Sequence, residues 1–297
     1  MKVSDNIKVN EGGERLDVFL ARGFNGIHTR SRVANAIKDG SITLNGKVVK
    51  AGAVLRTGDV IEVLPFVSEP TDDRAEDVAL DIIFQDEHLL IINKPRGMVV
   101  HPGAGNKRGT LLNALLGYQG AKNLDRAGIV HRLDKNTAGL MLAAKTPIAQ
   151  AKLGEMFERH EVNRTYVGLV EGVIKTQRGT INANIVRDER NRTLYKTDLV
   201  KGRRAITHYK VLQAFSKHTL VEFTLETGRT HQIRVHCKSI GHPIVGDPEY
   251  NPKSSIKFDG QLLESVRIEF IHPVTQQNIK HEIALSKEFS TVIAKFV

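Results

Sequence analysis

A chain of 297 residues has room for one large domain, a small one and a sizeable buried core. No apolar run approaches the roughly 18 residues of a membrane span, and the opening MKVSDNIKVNEGGERL lacks the apolar centre of a signal peptide, so a cytoplasmic protein with no membrane partner is expected. The single cysteine, Cys237, excludes an intramolecular disulfide and a multi-cysteine zinc cage, while 43 Lys and Arg against 33 Asp and Glu give a charge of +10 that favours a polyanionic partner without naming one.

In chain order, Glu14 to Ala21 is predicted as a short helix with Leu16, Phe19 and Leu20 on one face. A second helix is expected from about Ser31 to Lys38, capped by Thr29 or Ser31 and ended by Gly40. Ile42-Thr43-Leu44 and Val48-Val49 flank Asn45-Gly46, a strong hairpin signal, and Val60 to Leu64 reads as a further strand. Arg30, Arg32, Lys38, Lys47 and Lys50 form either one basic binding face or an ordinary solvated one. The order of these elements, and the string RSRVANAIKDGSITLNGKVVKAGAVLRTGDVIEV, resembles the S4-like RNA-binding domain over residues 13–66. That resemblance implies a small α/β module in which Arg30 and Arg32 contact RNA.

Residues 67–79 are polar, acidic and aperiodic, and are expected to be a flexible tether. Beyond them, Leu89 to Asn93, Gly139 to Ala144, Thr165 to Glu171 and Leu220 to Leu225 read as strands, and Ala149 to His160 as a helix. Thr230 is expected to cap a helix that ends at Gly241. Strands mixed with inserted helices argue for an α+β domain over 80–297 rather than a regular βαβ array.

The segment His131-Arg132-Leu133-Asp134-Lys135-Asn136-Thr137 sets a carboxylate on a short polar loop ahead of the strand Leu140 to Ala144. By spacing alone, Asp134 is more simply an Asx-turn acceptor from Asn136 or Thr137 than a reactive group. HRLDKNTAGL, however, resembles the signature of large-ribosomal-RNA pseudouridine synthases of the RluA/RluD type. Asn93-Lys94-Pro95-Arg96-Gly97, Asn163-Arg164-Thr165-Tyr166 and Glu226-Thr227-Gly228-Arg229-Thr230-His231-Gln232-Ile233-Arg234 resemble that family's other motifs, in its order. The leading S4-like module and Gly103-Ala104-Gly105-Asn106 bring the chain closer to the RluD branch.

The resemblance implies a mixed, mainly antiparallel pseudouridine-synthase sheet with flanking helices and a central cleft. It implies Asp134 as nucleophile, Arg234 as its ion-pair partner and Tyr166 as the active-site tyrosine, with base flipping and no cofactor or metal. The implied substrate is structured RNA, 23S ribosomal RNA first and transfer RNA second, bound by a monomer. Lys94, Arg229, Lys107 and Arg108 are carried as RNA contacts. Arg132 either fills the space a flipped base leaves or binds phosphate. The residue types suit the reaction: a nucleophilic carboxylate must stay ionised in a partly dry pocket, which a bidentate guanidinium favours. A tyrosine adds a stacking face and a proton relay.

Other signals are set aside. Gly103 to Thr110 fits neither the dinucleotide nor the P-loop pattern, and His231 and His236 lack the spacing of a helical zinc pair, leaving His231 a structural role. Arg187 to Arg204 is a basic cluster, either an RNA-contacting hairpin or a solvated face. Two further classes compete with the isomerase: a non-catalytic RNA-binding protein, and a glycoside-cleaving hydrolase with Glu226 as second carboxyl.

Overall fold

The computed structural model describes residues 5–21, 30–64, 74–103, 105–118 and 124–296. The chain divides into two compact units, Met1–Thr71 and Asp72–Val297.

In the smaller unit, β1 (Asp5–Lys8), α1 (Leu16–Ala21), α2 (Arg30–Lys38), β2 (Ile42–Leu44) and β3 (Val60–Val63) follow in order. The sheet runs β1-β3-β2 and is antiparallel throughout. Val33, Ala36 and Ile37 of α2 are spaced three and four apart and pack with Leu16 and Leu20 of α1 against Ile42 and Ile61. Leu44 and Lys47 exchange main-chain hydrogen bonds across Asn45-Gly46, so the predicted turn forms. Val48-Val49 does not continue it as a strand; Asn45 instead bonds Asp59 and the amide of Val60, tying the turn to β3. β3 wins the pairing because Ile61 and Val63 alternate inward over a longer edge. β1 was invisible in the sequence, since Asp5-Asn6-Ile7-Lys8 has no apolar alternation and is held by one neighbour alone.

The larger unit carries β4 (Ile82–Gln85), β5 (Leu89–Lys94), α3 (Leu111–Gly117), β6 (Ala138–Ala144), α4 (Pro147–Glu158) and β7 (Asn163–Glu171). There follow β8 (Arg178–Asn182), β9 (Asn184–Arg187), β10 (Tyr195–Asp198), β11 (Ile206–Ala214), β12 (His218–Leu225), α5 (Gln232–Ser239), β13 (Leu263–Ile271), β14 (Asn278–Glu282) and α6 (Lys287–Ile293). Among the described residues nine strands form one sheet in the order β4-β5-β6-β13-β7-β12-β11-β8, with β14 beside β13; only β6 and β13 run parallel. β9 and β10 make a separate two-stranded ribbon.

Side-chain alternation splits the core between the two faces. Leu90, Ile92, Met141, Tyr166 and Phe223 pack with Leu111 and Leu115 of α3 and Ile233 and Cys237 of α5. Leu89, Ile91, Leu140 and Leu142 point the other way, onto Ala149 and Leu153 of α4. Val167 and Leu169 meet Phe289 and Val292 of α6. Coverage of both faces explains why β6 reads as an unbroken apolar run.

The end of the acidic stretch differs from the expected tether. The Arg74 carbonyl accepts from the Asn113 side-chain amide, the Glu76 amide donates to the Asn113 carbonyl of α3, and the Glu76 carboxylate takes the Gly109 amide. These bonds complete the polar groups at the start of α3, so residues 74–78 belong to the larger unit. Among the described residues no helix is long and apolar enough to cross a membrane.

Candidate active site

The loop ahead of β6 is folded by its own alternation. Leu133 enters the core, Arg132 is exposed, and His131 lies under the loop. The His131 ring stacks on Phe157 at 4.6 Å and its Nε2 accepts the Leu142 amide at 2.8 Å. Burial, with help from the charge on Arg164, pulls its pKa down to about 3, so the imidazole is neutral and serves as a strut. The loop turns through a bond from the Thr137 amide to the main-chain oxygen of Asp134, at 3.1 Å. The turn thus uses the backbone carbonyl, and the side chain remains available to the cleft.

Gly139 brings this loop to the rest of the sheet. At φ +109°, a Cβ there would lie 2.1 Å from the Ser265 oxygen, so only glycine lets β6 approach β13 this closely. Ser265 in turn pairs with Tyr166 of β7.

Arg234 projects from the first turn of α5 and donates from Nη1 to Asp134 at 3.1 Å. Its other nitrogens hold Asp247 at 2.6 and 2.8 Å and Glu249 at 2.5 Å, and its plane lies 4.8 Å from the Tyr250 ring. Burial opposes the guanidinium charge, but the Asp247 hydrogen bonds and the three carboxylates outweigh it and raise the pKa. The Asp134 side chain is 19% exposed and Asp247 is fully buried, so one carboxylate faces the cleft while another anchors the arginine from behind.

Tyr166 is buried on β7. Burial raises its pKa, Arg164 opposes the rise, and Asp134 adds to it, so both charges act on one phenol; Ser265 and Arg164 are its hydrogen-bonding neighbours. Asp134, which bonds Arg234 and acts electrostatically on Tyr166, thus brings together residues of three different elements.

Lys94 corrects the expectation of an RNA contact. It is 0% exposed, and its Nζ donates to the carbonyls of Pro95, Met98 and Lys135 at 2.9, 2.9 and 3.1 Å. Burial lowers its pKa to about 7, against the pull of Asp134. Arg96 adds a bond to the Asn136 carbonyl at 2.6 Å, so two cations of one strand end clasp the loop that carries Asp134. The other expected contacts scatter. Lys107 and Arg108 are exposed on the loop before α3, near Asp134's neighbour Lys135 through Asn106 at 3.4 Å. Arg229 is half-buried, donating to the Arg204 carbonyl at 3.1 Å. Arg30 and Arg32 lie in α2, and their side chains fall outside the described residues, as does Thr29.

Several site residues escaped the sequence. α5 begins at His231, in a left-handed conformation, and not at a Thr230 cap; that conformation turns the ring to within 3.9 Å of Asp134 and bonds it to the Tyr250 hydroxyl at 2.8 Å. Asp247, Glu249 and Tyr250 sit in an aperiodic loop that gave no signal. Arg164, in contrast, lay in plain view two residues before Tyr166, and period two alone places both on one face. Glu226 does not face Asp134 as a second carboxyl would; it bonds His208 at 2.7 Å and approaches Arg204 at 3.9 Å.

The comparisons agree with this geometry. The family described as RNA pseudouridylate synthase matches residues 88–239, and the S4 domain matches residues 14–61. The chain is 43% identical to ribosomal large subunit pseudouridine synthase D of Pseudomonas aeruginosa, over 94% of this chain and 90% of that protein. It is 42% identical to the uncharacterized RNA pseudouridine synthase YlyB of Bacillus subtilis, over 94% and 93%. The fold is shared with human RNA pseudouridylate synthase domain containing 1, at TM-score 0.58 and 20% identity, covering 75% of this chain and 96% of the human one. An aspartate, tyrosine and arginine gathered on this sheet, and a family match across all three, place the chain in the RNA pseudouridylate synthase family.

Proposed function

We propose that this pseudouridine synthase isomerises specific uridines of large-subunit (23S) ribosomal RNA, with Asp134 as the nucleophile and the target base flipped out of its stack. The observation that carries the reading is the Asp134 carboxylate, partly exposed and held at 3.1 Å by an arginine that Asp247 fixes from behind. The names of the relatives with near-complete coverage support the choice of RNA.

In the reaction the bond from N1 of uracil to C1′ breaks and a bond from C5 to C1′ forms. C5 gives up a proton and N1 gains one, so nothing is oxidised or hydrolysed. A carboxylate that attacks the substrate divides this rearrangement into two easier steps. Arg234 holds Asp134 in place through its hydrogen bond. Tyr166 offers its ring to the base and its hydroxyl to the proton leaving C5. Extruding the uridine costs a few kcal/mol, and Arg132, exposed and two residues from Asp134, is available to fill the gap or to bind phosphate. The S4 domain supplies a second grip on RNA, acting through effective concentration as a monomer.

The test is to incubate the protein with transcribed 23S ribosomal RNA and with transfer RNA, then map pseudouridine and measure free uracil. Pseudouridine at discrete 23S positions without uracil release is expected. Release of uracil, or modification of transfer RNA alone, would overturn the proposal. A chain beginning at Asp72 keeps the Arg74–Glu76 bonds to α3 and should still isomerise uridine, with poorer affinity and a shallower salt dependence.

A further inference from the structure

The ribbon β9–β10 is not used by the chemistry above, yet it borders the site. Tyr195, the first residue of β10, lies 5.5 Å ring to ring from His231, which is 3.9 Å from Asp134. The base of the ribbon is fastened to the helix that carries Arg234: Ile185 and Ala205 pack with Val235 and Tyr250. From Tyr195 the strand runs to Asp198 and then into a turn at Leu199-Val200. At about 3.3 Å per residue, that turn is about 13 Å along the chain from the site's edge, the length of roughly four stacked nucleotides.

Leu199 and Val200 are 89% and 87% exposed, more than any other large apolar side chain among the described residues. They are not on a loose loop. Asp198 Oδ1 accepts the amides of Val200 and Lys201 at 2.8 and 2.7 Å, and Arg203 exchanges two main-chain bonds with Ile185. Gly202, at φ +98°, closes the turn where a Cβ would stand 2.6 Å from the Ile185 oxygen. A turn held this firmly, with two consecutive apolar side chains facing water, is a surface built to meet something.

Charge selects the partner. Lys196, Lys201, Arg203 and Arg204 flank the pair along the chain and are exposed, with Arg204 also approaching Glu226 at 3.9 Å. Asp198, which holds the turn's amides, is one negative charge set against these four cations. Apolar side chains flanked in the chain by cations match RNA: phosphates for the cations and base faces for the side chains. We propose that Leu199-Val200 is a wedge that inserts between unstacked bases a few nucleotides from the target uridine, with the flanking cations on the sugar-phosphate chain. This deepens the functional reading and rests on it for the identity of the RNA.

Two full-length variants test it, both probed with transcribed 23S ribosomal RNA. The chain has no tryptophan, so Leu199→Trp supplies a single fluorophore at the wedge. Its emission should be quenched as RNA saturates the protein in a parallel filter-binding titration, because stacked bases quench indole. The double change Leu199→Ser with Val200→Ser should keep the melting temperature and the slope of log affinity against log salt, since it removes no charge. It should weaken RNA binding by about tenfold to a hundredfold through lost apolar contact. Unchanged tryptophan emission at saturation would overturn the wedge, as would a double-serine variant that binds like wild type. So would light scattering that shows a wild-type dimer and a double-serine monomer, since the turn would then be a contact between copies. Because quenching and binding are read without pseudouridine formation, failure of the wedge is distinguishable from failure of the proposed reaction.

Discussion

Two buried cations flank the loop that carries Asp134, and they are stabilised in opposite ways. Arg234 has three carboxylates around it and a pKa raised above its ordinary value. Lys94 has only neutral carbonyls in contact and a pKa lowered to about 7. Arginine's planar fork fixes the direction of a side chain, whereas the three-fold ammonium fastens three backbone carbonyls of two segments at once. The first cation orients the Asp134 carboxylate; the second shapes the loop on which it stands. The site thus separates charge chemistry from scaffolding, although both cations are equally out of sight of solvent.

The largest effect should come from removing the charge that only one of them serves. Asp134→Asn is expected to lower the rate of pseudouridine formation by at least about a thousandfold while the melting temperature stays near wild type, because Arg234 keeps Asp247 and Glu249. A rate within tenfold of wild type would remove Asp134 from the chemistry. Next is Arg234→Lys, which keeps the charge and loses the fork. Single-turnover rate should fall about a hundredfold with RNA affinity little changed. Loss of affinity with an intact rate would make Arg234 a phosphate contact instead.

Lys94→Met should act on stability more than on chemistry, costing about 2 kcal/mol for three carbonyls left without a donor. The sign of its pH dependence distinguishes it from Arg234. Folded Lys94 gives up its proton near pH 7 and the unfolded chain near 10.5, so across that window the unfolded state binds the extra proton and wild-type stability rises with pH. In Lys94→Met this rise is gone, and its deficit in urea melts should widen from pH 7 towards 10.5. A constant deficit would mean that Lys94 does not titrate in that range. The smallest effect is expected at Glu249→Gln. Its carboxylate is 37% exposed, whereas Asp247 is fully buried, so rate and stability should move by only a few fold and under about 1 kcal/mol.

The sequence revealed the motif residues that meet at the site and concealed those that hold them. HRLD, the Tyr166 strand and the Arg234 helix carry short motifs, and their strands show period-two or unbroken apolar runs. Asp247 and Glu249 reach Arg234 from 13 and 15 residues away along the chain, through a loop with no periodicity. The motif resemblance carries Lys94 as an RNA contact; lysine is seldom fully buried, and only the three converging carbonyls reverse that prior. His231 was assigned a structural part, since a helix start in the left-handed region cannot be read from Arg229-Thr230-His231. Val48-Val49 failed for the converse reason: the local hairpin signal was sound, but β3, more distant in sequence, offered the better edge.

The order of strands in the large sheet has a consequence for synthesis. β13, which begins at Leu263, lies between β6 and β7, and the hydrogen bond that fixes Asp134 joins residues 100 apart. A chain emerging from the ribosome therefore exposes β6 and β7 long before their shared neighbour exists. Such non-local pairing is slow and leaves strand edges open in the interval. The Asp134 carboxylate acquires its arginine partner only after a further 100 residues have been made, and its loop acquires β13 later still.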